Sequence, residues 1–237
     1  MSSPEEIENL SASFEEKSPQ EIVAWAIAAF PSDIALSSSF QTESVPLLHL
    51  VIQLKPDIPI FFLETGFHFW ETLLFREQLQ HLWQLNTADL RREERWRTFL
   101  HRFGRDLPSQ FPDLCCFIHK VQPMQRALKG FRAWITGIRR DQTSIRAHAK
   151  ILELQPDNLL KINPLLNWTK QDVWEYLYQH NLPQHPLTGQ GYTSIGCAPC
   201  TQPITMGEDE RAGRWAGQGK TECGLHTEMF KKEPMFV

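Results

Sequence analysis

Three things are scarce in this 237-residue chain: basic charge, apolar runs and cysteine. Lysine and arginine (24) are outnumbered by aspartate and glutamate (28), leaving a net charge of −4. A protein that grips a nucleic acid polymer carries a strongly basic face, so that partner class is disfavoured. The most apolar stretch, from Ile22 to Phe30, is far too short to span a bilayer, which predicts no membrane segment. The first nine residues are acidic and lack the basic start of a secretory signal, so a cytoplasmic location is expected. No internal repeat is evident, which excludes a solenoid or propeller. There are only five cysteines, an odd number, and this argues against a disulfide framework.

The placement of those cysteines carries more information than their number. Cys115 and Cys116 are adjacent, Cys197 and Cys200 form a C-A-P-C pair, and Cys223 stands apart. Neighbouring cysteines do not readily bridge each other, because a disulfide needs more room between alpha carbons. Two thiolates from a C-C step and two from a C-x-x-C turn can instead converge on an iron–sulfur cluster or a zinc ion. Cys223 is then left as a candidate nucleophile.

Short apolar segments alternate with helical ones. Strands are predicted at Ile34–Leu36, Ile58–Leu63, Trp83–Leu85, Ala133–Gly137 and Leu159–Ile162. Helices are predicted over Pro19–Phe30, Glu43–Leu54, Phe69–Leu82, Val121–Leu128 and Thr169–His180, the last capped by Thr169 with Asp172 three residues on. The run Arg91–Arg95 reads as a solvated helical face. This alternation predicts an α/β fold, a parallel sheet with helices on both faces. Eight of the twelve glycines fall between Gly189 and Gly224, so a loop-rich tail follows. The expected organisation is an extension over residues 1–18, an α/β domain over 19–200 and a flexible tail over 201–237 that closes over the sheet.

Ligands of open parallel sheets sit at the carboxyl ends of the strands. There the sequence places Ser37 to Glu43, then Glu64-Thr65-Gly66, then Arg139, Arg140 and, a little further on, Arg146. Free N–H groups, hydroxyls and guanidinium forks together suit a phosphate or sulfate.

These segments also resemble a known family. Ser37-Ser38-Ser39-Phe40, Cys115-Cys116 with His119-Lys120-Val121, and Trp134 to Gln142 are similar to motifs of the sulfonucleotide reductases. So are Ser194 to Cys200 and Glu222-Cys223-Gly224-Leu225-His226, all in family order. The pattern looks like the iron–sulfur branch that reduces adenylylsulfate (APS), rather than the cluster-free branch that reduces phosphoadenylylsulfate (PAPS). The resemblance implies an adenine-nucleotide-hydrolase-like fold with a modified pyrophosphate loop at residues 37–44. It implies a 4Fe-4S cluster on Cys115, Cys116, Cys197 and Cys200, with Cys223 as the catalytic thiol. It implies substrate contacts from Ser37, Ser38, Ser39, Phe40, Thr65, Gly66, Lys120, Arg139, Arg146, Arg211, Arg214 and His226, the last three as cations beside Cys223. Thioredoxin as reductant, AMP as product and a homo-oligomer follow from the same source. Two positions depart from the family pattern: Gln41 stands where glycine is common, and Glu64 where aspartate is usual. Alternatives are a PAPS or dual-substrate enzyme, an ATP pyrophosphatase, whose Ser-Gly-Gly-x-Asp-Ser loop is missing, and a zinc-stabilised nucleotide-binding module.

Overall fold

A computed structural model describes residues 3–93, 104, 106–205 and 207–231. Six strands form one sheet in the order β3-β2-β1-β4-β6-β5. They are β1 (Ile34–Ser37), β2 (Ile60–Leu63), β3 (Thr87–Leu90), β4 (Ala133–Ile135), β5 (Leu152–Leu154) and β6 (Leu160–Ile162). All pairings are parallel except β5 with β6, which is antiparallel, so the sheet is mixed at one edge.

Side-chain alternation splits the core into two layers. Ile34, Leu36, Ile60, Phe62, Ala133 and Ile135 face one cluster, which also takes Ile22, Val23 and Ala26 of α2 (Pro19–Ala29) and Leu47, Leu48 and Val51 of α3 (Val45–Leu54). The intervening Ala35, Phe61 and Trp134 face the other, packed by Val121, Met124, Leu225 and Phe230. Burial on both faces explains why the inner strands read as unbroken apolar runs.

The predicted elements are largely present, with instructive differences. The third strand is not at Trp83–Leu85, because α4 (Trp70–Trp83) continues through Trp83 and ends on Gln84 in the left-handed conformation. The strand itself, Thr87–Leu90, is a half-exposed edge with no fully buried residue and so gives little apolar signal. Strand β5 went unpredicted because it is three residues long with Glu153 at its centre, opposite Lys161 of β6. Arg91 and Arg92 lie in non-helical chain beyond β3, while Glu94 and Arg95 lie outside the described residues. The helix expected at Val121 begins earlier. It runs from α6 (Pro112–Cys116), after the short α5 (Leu107–Gln110), through a π-helical turn (Phe117–Val121) into α7 (Gln122–Ala127). The cysteine pair is therefore helical. The predicted capping box on α8 (Lys170–Gln179) is formed, Thr169 accepting from the Asp172 amide and Asp172 from the Thr169 amide. Among the described residues no helix is long and apolar enough to cross a membrane.

Candidate active site at the sheet switch point

Strand order reverses between β1 and β4, since β2 and β3 lie to one side of β1 while β6 and β5 lie beyond β4. Crevices at such points are where open α/β sheets bind ligands. A cavity of about 190 Å³ opens there. Its wall includes Ser37, Ser38, Ser39, Lys120, Arg146, Arg211, Arg214, Cys197, Cys223 and His226. The topology thus gathers residues up to 189 positions apart, and ten of the sequence-predicted ones share this wall.

Four of the predicted substrate contacts stand elsewhere. Phe40 turns the chain through a left-handed φ of 52° and sends its ring into the core against Phe62, so it shapes the serine loop from behind. Its amide donates to Ser38 Oγ at 3.1 Å. Thr65 is fully buried, with its hydroxyl 3.4 Å from Cys197 Sγ, and Gly66 supplies a φ of 78° at the adjoining turn. Arg139 is wholly buried behind the wall, paired with Glu43 and Asp141, each at 3.0 Å. The two atypical positions are both used locally. Gln41 Oε1 accepts from the Ile195 amide at 3.0 Å, tying the serine loop to the second cysteine loop, and Glu64 accepts from the Gly66 amide at 2.8 Å.

The four paired cysteines are brought together. Cys116, Cys197 and Cys200 pack with Trp215, and Cys115 packs next to them across Phe67. The Cys197 turn is held by the His68–Cys197 bridge and by the Ala198 amide donating to Phe67 O at 2.7 Å. Burial pushes the Cys115 thiol far above its ordinary range, and Cys116, Cys197 and Cys200 add to that push. Cys116 rises to about 11, mainly through burial and against the pull of Lys120. Burial raises the Cys200 thiol as well, and the four crowded thiols together form a donor set that a cationic centre would relieve. Among the described residues no three His, Cys, Asp or Glu side chains converge at the spacing of a single ion.

Lys120, placed by the π-helical turn, shares the cavity wall with Cys197 and Cys223. Burial alone would lower its pKa, but the sulfurs of Cys197, Cys116 and Cys223 outweigh burial and raise it, so it stays cationic. Cys223 is half-buried and contacts both the cysteine group and the second core. Its neighbour Glu222 anchors the segment through a two-pronged pair with Arg146, at 2.7 and 2.8 Å, and accepts from Thr143 at 3.0 Å. Arg146 therefore lines the cavity with its charge already matched.

Arg211 and Arg214 are placed differently. Arg211 donates to Thr221 O at 2.8 Å, and Arg214 stacks 4.4 Å over Trp215. The Arg214 guanidinium fills the space beside Gly196, where a Cβ would lie 2.3 Å from it, so a side chain there would push the guanidinium aside. Arg211 Nε, Arg214 Nε, Trp215 Nε1 and His226 Nδ1 are all buried in residues of this wall and have no hydrogen-bond partner among the described residues. A buried donor without an acceptor costs about 1–3 kcal/mol, which a bound anion would recover. Nothing in the sequence marks Trp215 as part of this wall; its unpartnered N–H is visible only in the fold. His226 differs from expectation. Burial foremost, then Lys161, Arg146 and Arg211, hold its pKa well below the ordinary histidine value, so it is neutral and is not one of the cations beside Cys223.

Comparison with known proteins agrees with this geometry. The family model described as phosphoadenosine phosphosulfate reductase domain matches residues 33–203. Adenosine 5'-phosphosulfate reductase of Salinibacter ruber is 38% identical over 220 residues, 92% of this chain and 87% of that protein. The enzyme of the same name from Geobacillus thermodenitrificans is 40% identical over 218 residues, 90% and 91% of the two chains. Phosphoadenosine 5'-phosphosulfate reductase of Gloeobacter violaceus is 38% identical over 226 residues, 93% of each. Among solved structures, PAPS reductase from Candida auris in complex with phosphate superposes with a TM-score of 0.74 at 28% identity, covering 86% of this chain and 98% of that one. FMN adenylyltransferase of Candida glabrata, at 17% identity and a TM-score of 0.58 over 97% and 83% of the two chains, shares the fold. With a switch-point cavity whose wall joins a serine loop, a half-buried thiol and unpartnered donors, the chain belongs to the phosphoadenosine phosphosulfate (sulfonucleotide) reductase family of oxidoreductases.

Proposed function

We propose that the chain is a cytoplasmic adenylylsulfate reductase that uses thioredoxin as its dithiol. The Cys223 thiolate attacks the sulfate sulfur of APS; the bond from that sulfur to the bridging oxygen breaks, and its electron pair leaves with AMP. Cys223 then carries an S-sulfonate. A thioredoxin thiolate attacks Cys223 Sγ and expels sulfite with the sulfur–sulfur electron pair. The second thioredoxin thiol resolves the mixed disulfide, so the dithiol supplies two electrons and Cys223 is restored. The observation that carries this reading is the set of unpartnered donors on Arg211 and Arg214 in the wall that also holds Cys223. With Lys120 they would pair the sulfate and phosphate oxygens and ease approach of a thiolate to an anion. With the other four cysteines engaged as cluster ligands, no free internal thiol is left to release the adduct. The tail from residue 201 serves as the cover of the site and yields to admit thioredoxin.

Cys115, Cys116, Cys197 and Cys200 would hold a 4Fe-4S cluster, a thiol-only set that suits iron–sulfur ligation. When bound, the cluster supplies polarisation and rigid placement beside Lys120, while the net electrons come from the dithiol. Anaerobically purified protein should contain roughly four irons per chain, and Cys197→Ala should lose iron and activity together. Stoichiometric zinc without iron would overturn the cluster.

APS is favoured over PAPS by the carboxylate of Glu43, which stands in the cavity wall and accepts from Arg139 and Gln142, both at 3.0 Å. Those donors are committed to Glu43 and are not offered to a further phosphate. Catalytic efficiency for APS should exceed that for PAPS by at least about tenfold, about 1.4 kcal/mol in the barrier. Equal or greater efficiency with PAPS, measured with the same thioredoxin and an intact cluster, would reassign the substrate and leave the thiol chemistry untouched.

A further inference from the structure

We infer that Trp134 is a positioning residue which links the nucleotide loop to the catalytic tail. Trp134 is the central residue of β4, fully buried, on the strand that borders the switch point. Its indole N–H donates to Ser37 Oγ at 2.8 Å across the β1–β4 boundary. Its ring stacks on His226, with centroids 5.9 Å apart and planes 17° apart, and also meets Phe230 at 5.0 Å. One rigid side chain thus touches the first residue of the serine loop and the segment three residues past Cys223.

The hydrogen-bond inventory gives this contact a direction. A serine hydroxyl has one proton to donate and two lone pairs. The indole N–H is donor only, so it must occupy a lone pair of Ser37. The proton of Ser37 is then left for another acceptor, and Ser37 lines the cavity. Trp134 therefore presents Ser37 to a nucleotide as a donor, suited to a phosphate or ribose oxygen. On its face it seats a neutral His226, which an aromatic plane accepts without desolvating a charge. Leu225 and Phe230 join the same cluster, so the height of Cys223 above the cavity is set from the sheet as well as by Glu222.

The two contacts separate by substitution. Trp134→Phe keeps a ring under His226 and removes the N–H; Trp134→Leu removes both; Ser37→Ala removes the acceptor and keeps the ring, leaving the indole N–H unpaired. AMP affinity, measured by calorimetry on the iron-loaded protein, should fall about threefold to tenfold in Trp134→Phe and Ser37→Ala alike. The double variant should be no worse than either single one, because both remove the same oriented hydroxyl. In Trp134→Leu the rate at which Cys223 is sulfonated by saturating APS in a single turnover should also fall, about tenfold, while Trp134→Phe should lose affinity more than rate. Unchanged AMP affinity in Ser37→Ala, or additive losses in the double variant, would overturn the inference, and the Ser37 arm decides it even if a Trp134 variant fails to fold. The inference rests on the proposed nucleotide site. Wild-type protein that does not bind AMP would defeat both, whereas normal wild-type binding with unaffected variants defeats only the role of Trp134.

Discussion

Replacing Cys223 with serine should abolish sulfite formation while leaving iron content and AMP affinity within about twofold of wild type. Cys223 is the one half-exposed cysteine and lies in the cavity wall, whereas the proposed ligands Cys115, Cys116, Cys197 and Cys200 are buried, and of them only Cys197 reaches that wall. A serine hydroxyl does not ionise near neutrality and is a poor nucleophile toward sulfur, so the residual rate should be lower by a factor of at least about 10⁴. In the absence of a dithiol, wild-type protein given APS should accumulate a sulfonate on the peptide that contains Cys223. Mass spectrometry that finds the adduct on Cys116 or Cys200 would reverse the division of roles drawn from burial.

The second large effect should appear at Glu222. This carboxylate is buried between Arg146 and Arg211, and Arg146 grips it with two nitrogens at 2.7 and 2.8 Å. Burial would raise its pKa, but the hydrogen bonds and charge of Arg146, aided by Arg211 and Thr143, prevail and hold it below the ordinary glutamate value. Glu222→Gln removes one side of a buried pair and leaves guanidinium charge without its counter-ion, at a cost of about 3–5 kcal/mol. For a chain of this size that is a fall in melting temperature of about 6–20 °C. A carboxyl with a depressed folded-state pKa contributes stability in full above its unfolded value near 4.3. That contribution fades as pH falls from there through the lower folded value. Wild-type protein should therefore lose stability on acidification below about pH 4, and the variant should lose less over the same window. Because Glu222 also fastens the segment before Cys223, proteolysis between Gly207 and Gly219 should speed up in the variant. Unaltered melting and cleavage would show that the pair neither stabilises the chain nor fastens the tail.

Much of the fold was legible along the chain because its causes are local. The apolar runs of β1, β2, β4 and β6 follow from burial on both faces, and the Thr169–Asp172 capping box is written in four consecutive residues. What failed was what lacks a local signature. Strand β3 is an edge with no fully buried residue, β5 is short and centred on Glu153, and α4 ends on a left-handed Gln84 where glycine would have been the usual cue.

The candidate site divides the same way. Cysteine spacing and the motifs around it singled out the thiols, because that chemistry depends on residue type and local spacing. Tertiary structure alone decided which charges are spent and which are free. Arg139 and Arg146 read from sequence as anion ligands equal to Arg211 and Arg214, yet the fold pairs the first with Glu43 and Asp141 and the second with Glu222. Among the described residues Arg139, Arg211 and Arg214 each keep a buried N–H without an acceptor, but only Arg211, which lies 3.8 Å from Glu222, and Arg214 do so in the cavity wall. His226 looked like a cation and is held neutral by burial and three positive neighbours. The glycine-rich tail read as loops, but Leu225 and Phe230 are part of the core beneath Trp134. The sequence determined which groups are present and in what order along the chain. Their charge state and freedom depend on neighbours such as Glu43 for Arg139, 96 residues away, and Glu222 for Arg146, 76 residues away, which only the packed sheet brings within hydrogen-bonding distance.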